Sequence, residues 1–177
     1  MKQRREEIQR GCDVVEKRII KVITEQTKIL FQNIHQVLDA VSDDQMDKII
    51  FDAPLWKHIY HMLHSLDQYF INPYVYDNPD FHEYGMNSFA VLTNNRLSKN
   101  TLVKYFKNIE EKVFCFFDNL DDSSLIKTPE SCGFTRLTLI LAQYRHVMYH
   151  VGFITSILHY TEEKWPKYIG ISAPIIQ

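Results

Sequence analysis

Apolar residues recur along four stretches of this chain at intervals of three and four, the spacing that gathers them on one face of an α-helix. The first stretch carries Ile8, Cys12, Val15, Ile19, Val22, Leu30, Ile34, Val37 and Val41. It predicts an unusually long helix, kinked or broken near Thr24 to Thr27, that stops at the acidic turn Ser42-Asp43-Asp44. The second sets Leu55, Ile59, Met62, Leu66 and Phe70 on one face and ends at Asn72-Pro73, since the residue before a proline is pushed out of the helical region. Asp52 ahead of Pro54 reads as its start, an aspartate cap followed by a proline in the first turn. The third carries Leu102, Tyr105, Phe106, Ile109, Val113, Phe116 and Leu120, opened by Ser98 as its cap and closed by Asp121-Asp122-Ser123-Ser124. The fourth runs from Thr135, a capping residue after Gly133, to about Tyr160, with Leu139, Ile140, Val147, Val151, Ile154 and Leu158 inward.

Residues 72–97 show no such period and contain Pro73, Pro79, Gly85 and Asn94-Asn95. A segment this long is no hairpin turn; it reads as a crossover from one end of a bundle to the other, or as a functional loop. Its aromatics, Tyr74, Tyr76, Phe81, Tyr84 and Phe89, predict that it packs against the helices, and Trp165, Pro166 and Tyr168 predict a tail docked on the same body. Leu38–Asp43 and Phe117–Asp122 share a helix-end pattern, a weak internal echo of two helix pairs. Four amphipathic helices, two short connections and one long crossover between helices 2 and 3 describe an all-α four-helix bundle in a single domain over 1–177. Only five glycines are present, which favours long helices over a turn-rich β fold.

Charge and cysteine usage narrow the setting. Twenty Lys and Arg against 22 Asp and Glu, with no basic stripe, argue against nucleic acid as a partner. Cys12, Cys115 and Cys132 are odd in number and lack CxxC spacing, which suits reduced thiols. None is set beside a recognisable base, so they are poor nucleophile candidates. The charged start of the chain lacks the apolar core of a signal peptide, and no apolar run reaches the length of a membrane span. The expectation is a soluble, cytoplasmic protein.

The candidate chemistry lies in the fourth helix, in Tyr144-Arg145-His146-Val147-Met148-Tyr149-His150-Val151-Gly152. Residues at i and i+4 are neighbours on one helix face, so the rings of His146 and His150 can converge on one point. A third imidazole from a facing helix would complete a common transition-metal site. The second helix offers His58, His61 and His64; the first and last are six residues apart and cannot all face that point. His61 lies near the middle of its helix, as the His146/His150 pair does of the fourth, so side-by-side packing puts them at similar height.

Arg145-His146-Val147-Met148-Tyr149-His150-Val151-Gly152 resembles the last-helix motif RHVxHHxGQ of the DinB/YfiT-like family. His61-Met62-Leu63, with Leu66-Asp67 and Tyr69-Phe70, resembles that family's second-helix segment. The resemblance extends along the chain in helix order, long crossover and acidic turns, and these two segments are its specific part. It implies a bacterial bundle fold in which one histidine of the second helix and two of the last bind a divalent metal. Carried over by position, the ligands are His61, His146 and His150. Tyr149 stands where many members have a further histidine, and Phe153 where glutamine is common.

On a helical wheel His58 lies closer to the centre of the apolar face than His61, which keeps it open as the alternative ligand, while His64 points nearly away. His35, His82 and His159 read as surface or locally satisfied. Asp67 and Arg145 are the candidate polar support: paired with each other, orienting a ligand histidine, or facing water. Tyr144 and Tyr149 line the pocket or belong to core and rim. Three imidazoles leave coordination positions open, as a catalytic metal requires, and suit zinc, nickel, iron or copper, with zinc or nickel first.

Such an ion lowers the pKa of a thiol or water it holds. Characterised relatives include transferases that use low-molecular-weight thiols such as bacillithiol, mycothiol or glutathione, and a thiol-dependent isomerase. The resemblance thus implies a metal-dependent thiol S-transferase, or else a hydrolase, and a homodimer, since family members often pair. The alternative is a non-catalytic, stress-related bundle whose metal stabilises the fold or an interaction surface.

Overall fold

The structure, a computed structural model, describes residues 17–93, 95–162 and 164–171. Four helices build a bundle: α1, Arg18–Ala40; α2, Leu55–Tyr69; α3, Lys99–Asp118; and α4, Arg136–Glu162. A two-stranded hairpin, β1 (Ile49–Ile50) and β2 (Ala53–Pro54), precedes α2, and short 3-10 turns follow α1 (Asp43–Gln45) and α3 (Asp122–Ile126). Both α1 and α2 pack against both α3 and α4. No helix among the described residues is long and apolar enough to cross a membrane.

Helix faces follow the apolar period closely in α2, where Leu55, Ile59, Met62, Leu66 and Phe70 are all buried. The predicted caps form as well: Thr101 N donates to Ser98 Oγ at 3.1 Å, and Thr138 N to Thr135 Oγ1 at 3.2 Å. At the centre Phe31 meets Phe106 edge to face, ring centroids 5.4 Å apart.

The first helix departs from expectation twice. It runs unbroken through Thr24 and Thr27, whose hydroxyls donate back to the carbonyls of Ile20 and Ile23, both at 2.8 Å. Its inward face at the start is Ile20 and Ile23, whereas Ile19 and Val22 are 52% and 55% exposed. The expected stretch from Ile8 to Val15 lies outside the described residues. The first amides of α1 find their acceptor on another element: Ile19 N and Ile20 N donate to the carboxylate of Asp122 at 3.0 and 2.9 Å. At the other end Lys99 donates to the carbonyls of Asp39 and Val41. These end contacts make α1 and α3 antiparallel.

Asp52 is not the cap expected of it. Phe51 (φ 47°) and Asp52 (φ 68°) are both left-handed, as the two central residues of a type I′ hairpin turn must be. The amides that open α2 are satisfied by backbone instead, Leu55 N on Lys48 O at 3.0 Å and Trp56 N on Met46 O at 2.9 Å. The hairpin, the one β element among the described residues, is not announced by the helical pattern.

From Phe70 to Ser98 the described residues form turns and irregular chain. Tyr76 and Phe81 pack inward as expected, but Tyr74 and Tyr84 are exposed. The tail docks through Asn33 more than through its aromatics. Asn33 Nδ2 donates to Ile169 O and Ile169 N to Asn33 Oδ1, both at 2.9 Å, while Trp165 and Tyr168 stay exposed.

Candidate metal centre

Three histidines meet between α2 and α4. Val147 and Val151 drive one side of α4 into the core, and this turns His146 and His150 toward α2. The ring of His61 lies 5.6 Å from that of His146 and 4.9 Å from that of His150, centroid to centroid. One nitrogen from each of the three falls within 4.8 Å of the others. His146 Nε2 and His150 Nε2 are 3.0 Å apart. Two nitrogens that each sit about 2.0–2.1 Å from one zinc ion are separated by about 3.0–3.4 Å, so the α4 pair is already at ligating distance.

Hydrogen bonding fixes the ring roles. His61 Nδ1 lies 2.7 Å from the carbonyl of Asn87, so Nδ1 carries a hydrogen and Nε2 is the nitrogen left to face a ligand. A backbone carbonyl behind the ligand ring is the usual support of a metal-binding histidine. Nδ1 of His146 and Nδ1 of His150 are both buried without a hydrogen-bond partner. Burial pushes both imidazoles toward the neutral form, helped by the neighbouring rings, and holds His150 down at about 3. Neutral imidazoles are what a metal needs. The donor set, its spacing and the neutral form favoured for the α4 pair fit a divalent transition ion.

The other histidines have separate duties. His58, the alternative on α2, is buried with Nε2 2.8 Å from the Ile50 carbonyl, and its ring lies between Phe89 and Phe153. It ties α2 to the hairpin. His64 bonds Asn78 Oδ1 at 2.9 Å and stacks on His82, whose Nδ1 is hydrogen-bonded with the Tyr60 hydroxyl at 2.7 Å. His35 pairs with Glu110 at 2.9 Å, and that hydrogen bond raises its pKa against the opposing effect of burial. His159 meets the Trp165 ring edge to face at 4.1 Å.

Asp67 and Arg145 do not pair with each other. Asp67 is buried and accepts from Lys112 Nζ at 2.6 Å, Tyr105 OH at 2.8 Å and Tyr76 OH at 3.2 Å, so it ties α3 and the long segment to α2. Arg145 is exposed on α4. Tyr144 takes the core role and donates to the Ile23 carbonyl at 2.8 Å. Tyr149 is an exposed rim residue whose ring lies 5.2 Å from that of His150. Sequence reasoning missed Asn87, and it placed Phe89 only as a packing aromatic, whereas its ring lies 4.8 Å from that of His61. Neither carries a periodic signal, because both sit in irregular chain.

Comparison with known proteins brings no match: no family model, no curated protein and no solved structure.

Proposed function

We propose that the chain is a metal-dependent helical-bundle protein of the DinB/YfiT-like type, with His61, His146 and His150 as ligands and a low-molecular-weight thiol as cosubstrate of a transferase reaction. The observation that carries this reading is the convergence of three imidazoles, one from α2 and two from α4, within 4.8 Å. A divalent ion held there, zinc or nickel first, supplies Lewis acidity that makes an entering thiol or water nucleophilic at neutral pH. The chain's own part is to orient the ligands. The Asn87 carbonyl sets the His61 tautomer, helical spacing sets the α4 pair, and burial keeps that pair unprotonated. The resemblance in 145–152 and 61–70 supports the same assignment.

The end contacts of α1 and α3 also support residues 70–98 as a crossover that carries the chain from the end of α2 to the distant start of α3. A homodimer in the cytoplasm completes the reading. Its support is the exposed apolar group Ile49, Phe51 and Tyr160 around one groove.

One observation favours the non-catalytic alternative: His150 is 6% exposed, so an ion there would brace α2 against α4 from within. Metal analysis of untagged protein, followed by a thiol titration of the loaded form, tests both. One equivalent of metal with saturable thiol binding is expected. Metal without thiol binding leaves the bracing role, and no metal at neutral pH overturns both readings.

A further inference from the structure

His61 and His64 stand three residues apart on α2, so their rings leave the helix as neighbours. His64 is only 3% exposed although it points away from the apolar stripe, because the long segment closes over it. Its ring is caged there: His82 stacks on it at 4.9 Å, and Tyr60 and Tyr76 meet it edge to face at 5.4 and 5.5 Å.

Inside that cage both ring nitrogens are engaged. Nε2 lies 2.9 Å from Asn78 Oδ1, which can only accept, so Nε2 carries a hydrogen. Nδ1 lies 3.4 Å from Asn87 Nδ2, which can only donate, so Nδ1 accepts in this longer contact. His64 is thus the neutral Nε2–H form, which burial also favours. The same Asn87 offers its backbone carbonyl to His61 Nδ1 at 2.7 Å. One residue of irregular chain therefore bridges two rings of α2, its side chain on His64 and its carbonyl on His61. The donors run in one direction, from His61 to Asn87, from Asn87 to His64 and from His64 to Asn78, and each meets an acceptor.

We infer that His64 is a positioning residue of the metal centre: it anchors the Asn87 side chain, and the anchored Asn87 carbonyl holds His61 with Nε2 left for a ligand. This rests on the metal-binding reading of His61, His146 and His150. A carbonyl on irregular chain can orient a ligand ring only if that chain is itself held, and α2 supplies the fixed point nearly one turn beyond the ligand.

Zinc affinity measured by chelator competition tests the link, with urea stability followed in parallel. Asn87→Ala keeps the carbonyl but loses the anchor, and should weaken zinc about tenfold with stoichiometry still near one. Two amides separate positioning from mere packing. His64→Asn places its oxygen where Nδ1 was and should keep affinity near that of the parent. His64→Gln reaches the Nε2 position, so it should keep the Asn78 contact and more of the stability, yet weaken zinc as Asn87→Ala does. A packing role alone would make affinity follow stability. In metal-free protein at pH 8.5, nitrogen-15 imidazole spectra should show His61 as the Nδ1–H tautomer, mixed with Nε2–H in Asn87→Ala. Asn87 is half-buried in irregular chain, so its variant folds and decides alone if a His64 variant does not. Parental zinc affinity or an unmixed His61 tautomer in Asn87→Ala overturns the inference and leaves the metal reading standing. So does a His64→Gln affinity equal to that of His64→Asn. A parent that binds no zinc overturns both.

Discussion

At His61 the two ring nitrogens have different surroundings, since Nδ1 donates to the Asn87 carbonyl and Nε2 is the nitrogen not engaged by it. His58, three residues earlier, has Nε2 occupied by the Ile50 carbonyl instead. Metal stoichiometry should therefore fall well below one per chain in His150→Ala and stay near one in His64→Ala, measured by elemental analysis after gel filtration. His64→Ala should still lower stability, because it releases Asn78 from a buried partner. Proton competition follows from burial. His146 and His150 stay neutral below the ordinary histidine value of about 6.5, so protonation of these two ligands should begin to displace metal only below that pH. A competition titration with a chromophoric chelator at several pH values checks this.

His35 behaves in the opposite sense. Its folded pKa is raised, so its contribution to stability is complete below about 6.5 and disappears as pH rises through the raised value. Urea melts of His35→Gln should show a larger loss relative to the parent at pH 5.5 than at pH 8.5. Equal losses at both would remove the His35–Glu110 pair from the account.

At the scale of elements, the segment between α2 and α3 is held by specific polar contacts, and apolar period has little part in it. His64 reaches Asn78, Tyr60 reaches His82, and Tyr76 reaches Asp67. Gly85 adds a backbone requirement: its φ is +81°, and a Cβ there would come within 2.3 Å of Val91 Cγ1. Gly85→Ala should destabilise by about 1–3 kcal/mol in urea unfolding, through backbone strain and displacement of Val91. Because Asn87 and Phe89 lie just beyond it, the same variant should weaken metal retention. Asp67→Ala should cost about 3 kcal/mol, because it leaves the Tyr105 and Tyr76 hydroxyls without their shared acceptor and releases Lys112.

For the whole molecule, the bundle stands on apolar packing of four helices, and the histidine centre joins only two of them. Removing the metal should leave the far-ultraviolet circular dichroism essentially unchanged while lowering the melting temperature, since an ion that binds only the folded state stabilises it by mass action. The proposed dimer is a separate matter. Light scattering at tens of micromolar should give twice the 21.1 kDa chain mass, and a monomer mass would remove the dimer from the reading.

The sequence by itself determined the helices, because a 3.6-residue apolar period records which face of a helix is buried. Leu55, Ile59, Met62, Leu66 and Phe70 were legible for that reason, as were the caps at Ser98 and Thr135 and the convergence of His146 with His150. Tertiary structure decided what periodicity cannot encode. A helical wheel places His58 deeper than His61, but only the tertiary structure turns His58 to the hairpin carbonyl of Ile50 and brings His61, bonded to the Asn87 carbonyl, beside His146 and His150. Ile19 and Val22 share the spacing of buried residues and are exposed, because α1 turns Ile20 and Ile23 toward the bundle. Asp52 sits two residues before Pro54 as a cap would, yet a left-handed turn claims it. Asp67 bonds Lys112 and two tyrosines instead of Arg145, because its side of α2 meets α3 and the long segment while Arg145 is exposed on α4. Local spacing fixes what one element presents; the partner it meets depends on chain far away in sequence.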